Sequence, residues 1–538
     1  MGNIPTLPID ATFKFPSPLP TWPSGGGFGS GYIDLGGLQV CQISNFKKIW
    51  TSYEGGPNNV GATIFEPSLI PDGFSMLGSY AQPNNQPLFG WVLVGKDNNG
   101  GEILKPPTDY TLVWSSESLP ITQSAHAYIW SPVPPPGYAA VGHVVTTSPE
   151  KPGGDRIRCV FSGFTDQCEV EDWVWGQGKS SDSNGFNLYT IRPSNRGTEA
   201  KGVNTGTFVG SFGKNNVGTF ACLKNNSLIS SYSMPNLSQI EALFREYSPV
   251  LYLHPLETYH PSSVNWFFSN GALLYTKGQE TNPVRIEPGG SNLPQGGSND
   301  GLYWINLPVD SNEKERVKKG DLQSSEVYLN IKPMFGGTFT DIAIWIFYPF
   351  NGPSTAKLGQ IEIIPLGIIG EHVGDWEHLT LRISNFNGVL NKLYFSEHSG
   401  GSWVNSPNLE FFNGTNKPVA YSSLNGHANY PKPGVVLQGI GDFIGIRNDT
   451  AKSAAVLDTG LRFSVVAAAE AAWVKYCREW GPKITYISEE DIKRVESLLP
   501  VEWRGVFEVL INLLPNEFFG EEGPTGPNMK ASWTGDEK

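Results

Sequence analysis

Residues 370–388 read GEHVGDWEHLTLRISNFNG. Five ionisable side chains crowd into the first nine positions, an apolar alternation follows, and Asn387-Gly388 closes the stretch with a strong hairpin signal. Taken as a strand, DWEHLTLRI sets Asp375, Glu377, Leu379, Leu381 and Ile383 on one face. Trp376, His378, Thr380 and Arg382 take the other. Two carboxylates therefore head an apolar face. Buried without partners they would repel one another and lose hydration, so something must neutralise them or one must keep a proton.

The next strand names candidates. With Asn387-Gly388 as a two-residue turn, Phe386 faces Val389, Leu379 faces Ser396 and Glu377 faces His398. His372 lies three residues before Asp375. The pattern predicts that His372, Asp375, Glu377 and His398 converge at one mouth of a β-sandwich. Carboxylate and imidazole donors suit a divalent cation: mostly oxygen ligands with waters favour Mg²⁺, Ca²⁺ or Mn²⁺ and two histidines favour Zn²⁺, and Ca²⁺ or Mg²⁺ is expected ahead of Zn²⁺. The alternative is a self-satisfied cluster of ion pairs and hydrogen bonds, with Arg447 or Lys392 as counter-charge. His427 and Tyr430, in SSLNGHANYPKPG, are further candidates for the mouth, and Trp376 and Trp403 are aromatic candidates for contact with a ligand. Six of the eight histidines fall between residues 254 and 427, which concentrates a scarce and versatile side chain in this region.

Working outward, 538 residues exceed one ordinary domain. The 62 glycines, 42 prolines and frequent aromatics point to a mainly β chain with many turns. Three regions are expected: a β repeat module over 1–237, β-prism-like only by a resemblance carried by residues 129–142, a β-sandwich with the His/Asp/Glu cluster over 238–465, and helices with an extended segment over 466–538. The repeat is visible directly. ATIFEPSLIPDGFSMLGSY at 62–80 aligns with AYIWSPVPPPGYAAVGHVV at 127–145, so Phe65 matches Trp130, Gly73 matches Gly137 and Gly78 matches Gly142. A fainter third copy is LYTIRPSNRG at 188–197, followed by NTGTFVGSFG. A period of about 65 residues built of strands and turns implies pseudo-symmetric β architecture, with the glycines at positive φ or at close backbone approaches. In the last region VVAAAEAAWVKYCREW at 465–480 reads as helical, Ser488 caps IKRVESLL, and Pro500 separates that helix from VEWRGVFEVLINLLP. The apolar stripe of these helices fits a docked cap or a membrane-seeking element.

Charge and motifs remove several functions. A net charge of −13 with no basic stripe argues against a nucleic-acid partner. Five scattered cysteines without a CxxC pair read as reduced thiols. No signal peptide and no bilayer-length apolar run is visible, so a cytoplasmic protein, peripheral at membranes, is expected. No GxSxG elbow, HExxH, P-loop or dinucleotide fingerprint is present, and the chain is not expected to be an enzyme.

Two resemblances follow from quoted motifs. GDWEHLTLRISNFNG, YFSEHSGGSW, SSLNGHANYPKPG, GIRNDTAKS and GEEGPTGP resemble signature blocks of the plant vacuolar protein sorting-associated protein 62 family. The IWSPVPPPGYAAVG element at 129–142 resembles the β-prism-type repeats of the same proteins. His372, Asp375, Trp376 and Glu377 also match the spacing of a motif in the necrosis- and ethylene-inducing peptide-like cytolysins. That resemblance implies a divalent-cation site that receives a sphingolipid headgroup. An aspartate of that family is replaced here by Asn351. Together they imply a membrane-surface protein that binds a lipid headgroup or glycan, with a toxin-like or defence role as an extension. A metal-dependent hydrolase and a trafficking scaffold are the alternatives.

Overall fold

The computed structural model describes residues 7–177, 184–213, 216–227, 230–398, 400–441, 443–466, 471–483, 489–497, 499–513 and 524–537. The chain is mainly β, with many small antiparallel sheets and few short helices. It divides into two compact units: 1–242 with 332–340 and 383–391, and 243–331 with 341–382 and 392–538. The stretch 466–538 thus falls within the second unit. No helix among the described residues is long and apolar enough to cross a membrane.

The repeat governs the first unit. Strand Ala62–Pro67 lies between Phe46–Thr51 and Tyr80–Pro83. Tyr128–Val133 lies between Asp109–Ser115 and Val144–Thr146. Phe186–Pro193, the faint third copy, lies between Cys168–Gly176 and Phe208–Phe212. The three central strands send Ile64, Ile129 and Leu188 into one apolar cluster. Trp50, Trp114 and Trp175, from the preceding strand of each copy, meet edge-on there, with ring centroids 5.5–6.0 Å apart. Edge-to-face packing suits the aromatic quadrupole and buries the largest side chains available.

The repeat glycines divide into two kinds. Gly73 and Gly137 have φ of +81° and +82°, a turn conformation that L side chains rarely adopt. Gly78 and Gly142 instead permit contact: a Cβ on Gly78 would lie 2.9 Å from the Gly142 Cα and 2.6 Å from Thr207 Cγ2. Thr207 fills the corresponding place in the third copy.

Five strands carry the site of the second unit: β1 (Val327–Met334), β2 (Phe339–Asn351), β3 (His372–Ser384), β4 (Leu390–Glu397) and β5 (Gly400–Asn405). With β6 (Phe463–Val465) they form one sheet in the order β5-β4-β3-β2-β1-β6. Every residue of β2 is buried, as its continuous apolar run requires. The β3–β4 turn differs from the two-residue expectation. Ser384 N donates to Val389 O at 3.0 Å and Gly388 N to Ser384 O at 2.8 Å, so residues 385–388 form the loop. Asn387-Gly388 supplies its last two positions, with Gly388 at φ +72° and Asn387 Oδ1 accepting from Val389 N. The register moves by two residues. The faces of β3 are preserved but the partners change.

The helical reading of 465–480 is corrected over 471–480. Residues 467–470 lie outside the described residues, and beyond them 471–483 hold only one 3-10 turn, Ala472–Lys475. Trp473, Tyr476 and Trp480 are buried at a spacing that imitates a helix. Their backbone is instead tied across the fold, with Gly296 N donating to Lys475 O and Trp480 N to Pro524 O. Helices α1 (Glu489–Ser497) and α2 (Val501–Leu513) form where expected. Ser488, the expected cap, lies outside the described residues. Val495, Leu499, Phe507 and Ile511 pack on Ala356, Leu358, Ile364 and Ile446, which makes these helices a docked cap.

Candidate functional site

Alternation along β3 does bury Asp375 and Glu377 on one face. The partner of Asp375 comes from the turn after Ser423. Asp375 Oδ2 accepts from His427 Nδ1 at 2.9 Å, and His427 Nε2 donates to Tyr259 O at 3.1 Å. The same Nε2 lies 3.7 Å from Glu257 Oε2. The imidazole has no exposure and stacks on Tyr348 of β2, with centroids 3.8 Å apart and planes 9° apart. Burial alone would push His427 down. The hydrogen bonds to Asp375 and Glu257 and their charges outweigh it and hold His427 up at about 10. It is an imidazolium donating from both nitrogens.

Glu257 is the residue that sequence reading missed, because nothing in LHPLETYH distinguishes it from an exposed turn acid. Its Oε1 accepts from Thr258 N and Tyr259 N at 2.9 and 2.7 Å, and its Oε2 accepts from Asn425 N at 2.6 Å. Burial would raise its carboxyl, but His427 and these backbone donors hold it below the ordinary range. Asp375 is likewise held low against its burial by His427 and the nearby His372. Glu377 goes the other way: burial, then the charge of Asp375, push it up to about 8, although Ser396 Oγ donates to its Oε2 at 2.7 Å.

The expected convergence is therefore partly realised. His372 is near Asp375, and its buried Nδ1 has no hydrogen-bond partner among the described residues. His398 is not the partner of Glu377. The two-residue register shift gives that place to Ser396, and His398 Nε2 instead bonds Asn448 Oδ1 at 2.9 Å. Its Cε1 stays beside the 423–427 turn, 3.6 Å from where a Cβ on Gly426 would lie. The expected counter-charges pair elsewhere, Arg447 with Asp449 at 2.9 Å and Lys392 over the Trp403 ring. Asn351 donates Nδ2 to Gly370 O at 2.7 Å, tying down the approach to β3, which a carboxylate at that position could not do.

The aromatic candidates lie away from this mouth. Trp376, on the opposite face of β3, packs in the core against Tyr328, Phe347, Trp473 and Trp480. Trp403 carries the Arg382 guanidinium 4.2 Å above its ring. Arg382 is buried and bidentate to Asp341 at 2.7–2.8 Å. Tyr430 is buried opposite Tyr421.

Oxygen and imidazole donors have the right chemistry for a cation, but here the two carboxylates are engaged with protein groups. Among the described residues no three His, Cys, Asp or Glu are grouped to hold a metal ion. Asp375 turns to His427 and Glu377 to Ser396. What this region does offer is a set of buried polar groups without hydrogen-bond partners among the described residues: Ser423 Oγ, Asn448 Nδ2 and His372 Nδ1. Around it His398, Asn425 and His427 all adopt positive φ, at 57°, 65° and 56°. Such conformations are costly for non-glycine residues and concentrate at functional sites.

Sequence comparison places this β architecture in a known class. Residues 9–537 match the vacuolar protein sorting-associated protein 62 family, and the chain belongs to that family. Two relatives come from Saccharomyces cerevisiae. Vacuolar protein sorting-associated protein 62 is 28% identical over 221 residues, 35% of this chain and 44% of that protein. Putative vacuolar protein sorting-associated protein TDA6 is 29% identical over 145 residues, 24% of this chain and 29% of that protein. The chain spans less than half the length of these curated relatives. Among solved structures, GNIP1Aa from Chromobacterium piscinae is similar over 38% of this chain and 40% of its own, at 17% identity and a TM-score of 0.28. Necrosis and Ethylene inducing Protein 2, from the causal agent of cocoa's Witches Broom disease, is similar over 35% and 67%, at 15% identity and a TM-score of 0.19. NLPPya in complex with glucosamine is similar over 36% and 67%, at 16% identity and a TM-score of 0.20.

Proposed function

We propose that the chain is a non-enzymatic binding protein acting at a membrane surface. It takes a lipid headgroup or glycan in the mouth between His372, His398, Ser423 and Asn448. The observation that carries this is the pairing of positive-φ backbone at His398, Asn425 and His427 with buried polar groups that have no hydrogen-bond partner among the described residues. A hydroxyl-rich ligand supplies the missing donors and acceptors. The non-enzymatic reading is supported at His427, whose two ring nitrogens are both engaged, so that His427 itself is not available as a general base. The three equivalent sheets of the first unit support a β-prism-like second module, and the β3 sheet supports a sandwich.

A Ca²⁺ or Mg²⁺ ion at Asp375 and Glu377 is a second arm of the same proposal. It requires Asp375 to release His427 and Glu377 to lose its proton. Sedimentation with phosphatidylcholine vesicles, with and without a glycosylated sphingolipid, tests the reading, repeated with Ca²⁺ and with chelator. Retention on the glycolipid vesicles alone, lost in Asn448→Ala, is the expected result. No retention on either vesicle, together with an empty glycan array, would sink it. Retention that disappears with chelator selects the ion-bridged arm. Leakage of vesicle contents would extend the reading to a toxin-like or defence role. Binding to vacuolar-sorting proteins but not to vesicles would favour the scaffold alternative.

A further inference from the structure

Two cysteines of the first unit take no part in the mouth. Strand Thr165–Asp166 pairs antiparallel with Cys222–Lys224, placing Asp166 opposite Cys222. The chain leaves that ladder at Gln167, and Cys168 opens the next strand. The Cys168 thiol reaches back to donate to Phe220 O at 3.2 Å, two residues before Cys222. Both side chains lie in one apolar cluster with Tyr189, Ile191 and Val209. The sulfurs are close enough for each thiol to set the other's acidity.

The two positions are not equivalent. Cys222 is fully enclosed, and burial followed by its neighbour Cys168 pushes its thiol up. Cys168 retains 9% exposure, and the hydrogen bond from Cys222 holds its thiol below the ordinary range. A more acidic thiol at the edge of the cluster beside a fully enclosed one is the arrangement of an attacking and a resolving cysteine. The other cysteines differ in having no thiol beside them among the described residues: Cys159 is enclosed and pushed up to about 11 by burial, Cys41 is about as buried as Cys168 but is pushed up by that burial, and Cys477 is half-buried.

We propose that Cys168 and Cys222 form a modification site for hydrogen peroxide, closing to a disulfide on oxidation. The Cys168 thiolate attacks the peroxide, the O–O bond breaks, and Cys168 becomes a sulfenic acid as hydroxide leaves and is protonated. The Cys222 sulfur then attacks the sulfenic sulfur, the S–O bond breaks, and water leaves with the Cys222 proton. Two thiols lose two electrons in all, and one peroxide is reduced to two waters. The bond staples the start of strand Cys168–Gly176 to strand Cys222–Lys224.

The test uses the reduced full-length protein, treated with hydrogen peroxide, alkylated and digested without reductant. A peptide linking Cys168 to Cys222 is expected, with alkylation of both falling roughly tenfold while Cys41 and Cys159 are unchanged. Cys222→Ser is expected to stop at a Cys168 sulfenic acid that dimedone traps. The oxidised wild type should unfold at a higher temperature, by on the order of 5 °C. Absence of the linked peptide in the wild type, or oxidation of Cys477 with the pair still reduced, would overturn the proposal without reference to any variant.

Discussion

The two units bury their most demanding residues in opposite ways. The first repeats one solution three times, with Trp50, Trp114 and Trp175 meeting edge-on and Gly78 and Gly142 letting the backbone close around Thr207. Its interior there is apolar and its cost is mainly conformational. The second unit builds one site from unique residues, and that site buries a charged imidazole between two carboxylates. The first arrangement is held by packing, so its parts are interchangeable in kind. The second is held by electrostatic completeness, so no member can be removed without stranding another.

Trp175→Ala should expose this difference most strongly. It opens a cavity against two other tryptophans and should cost about 4 kcal/mol, read from the urea midpoint of the first unit's transition. Asp375→Asn should cost about 3 kcal/mol, because it leaves the His427 charge half-compensated. A double variant with His427→Gln should recover part of that loss, whereas pairing Trp175→Ala with Trp114→Ala should add to it or exceed it. Gly142→Ala should cost about 2 kcal/mol through overpacking against Thr207 and Gly78. By contrast, Gly153→Ala meets open space and should change stability by less than about 0.5 kcal/mol.

The comparison can also be sharpened by pH, whose effect should belong to the second unit. His427 titrates at about 10 in the folded chain, above its ordinary value. Its contribution is complete below pH of about 6.5 and is lost as pH rises through 10. Glu377, held up at about 8, binds its proton more tightly when folded. Stability therefore also falls between pH of about 4.5 and 8, and Glu377→Gln should flatten that window. Urea midpoints across this range check both, and a slope unchanged in Glu377→Gln would contradict the assignment.

Sequence pattern reached the architecture through its periodicities. The repeat at 62–80 and 127–145 was plain because glycine and proline occupy positions where backbone geometry admits little else. The third copy was faint because Thr207 replaces the repeat glycine. Strand alternation correctly sorted β3 into an acidic face and a face bearing Trp376, His378, Thr380 and Arg382, and a two-residue register error left those faces intact. It still misassigned the partner of Glu377, since Asn387-Gly388 fits the end of a four-residue loop as well as a two-residue turn. VVAAAEAAWVKYCREW reads as helical, yet tertiary packing pulls Trp473, Tyr476 and Trp480 inward at a helix-like spacing that periodicity cannot distinguish from a helical face.

The sequence by itself determined which side chains share a strand face, where the repeats and the docked helices fall, and that two buried carboxylates needed a counter-charge. The tertiary structure alone decided what supplies it. His427 and Glu257 lie 52 and 118 residues from Asp375 in the sequence, and hydrogen bonding and charge act through space rather than along the chain. Local periodicity can predict the need for a partner, but only the packed fold selects which one is within reach.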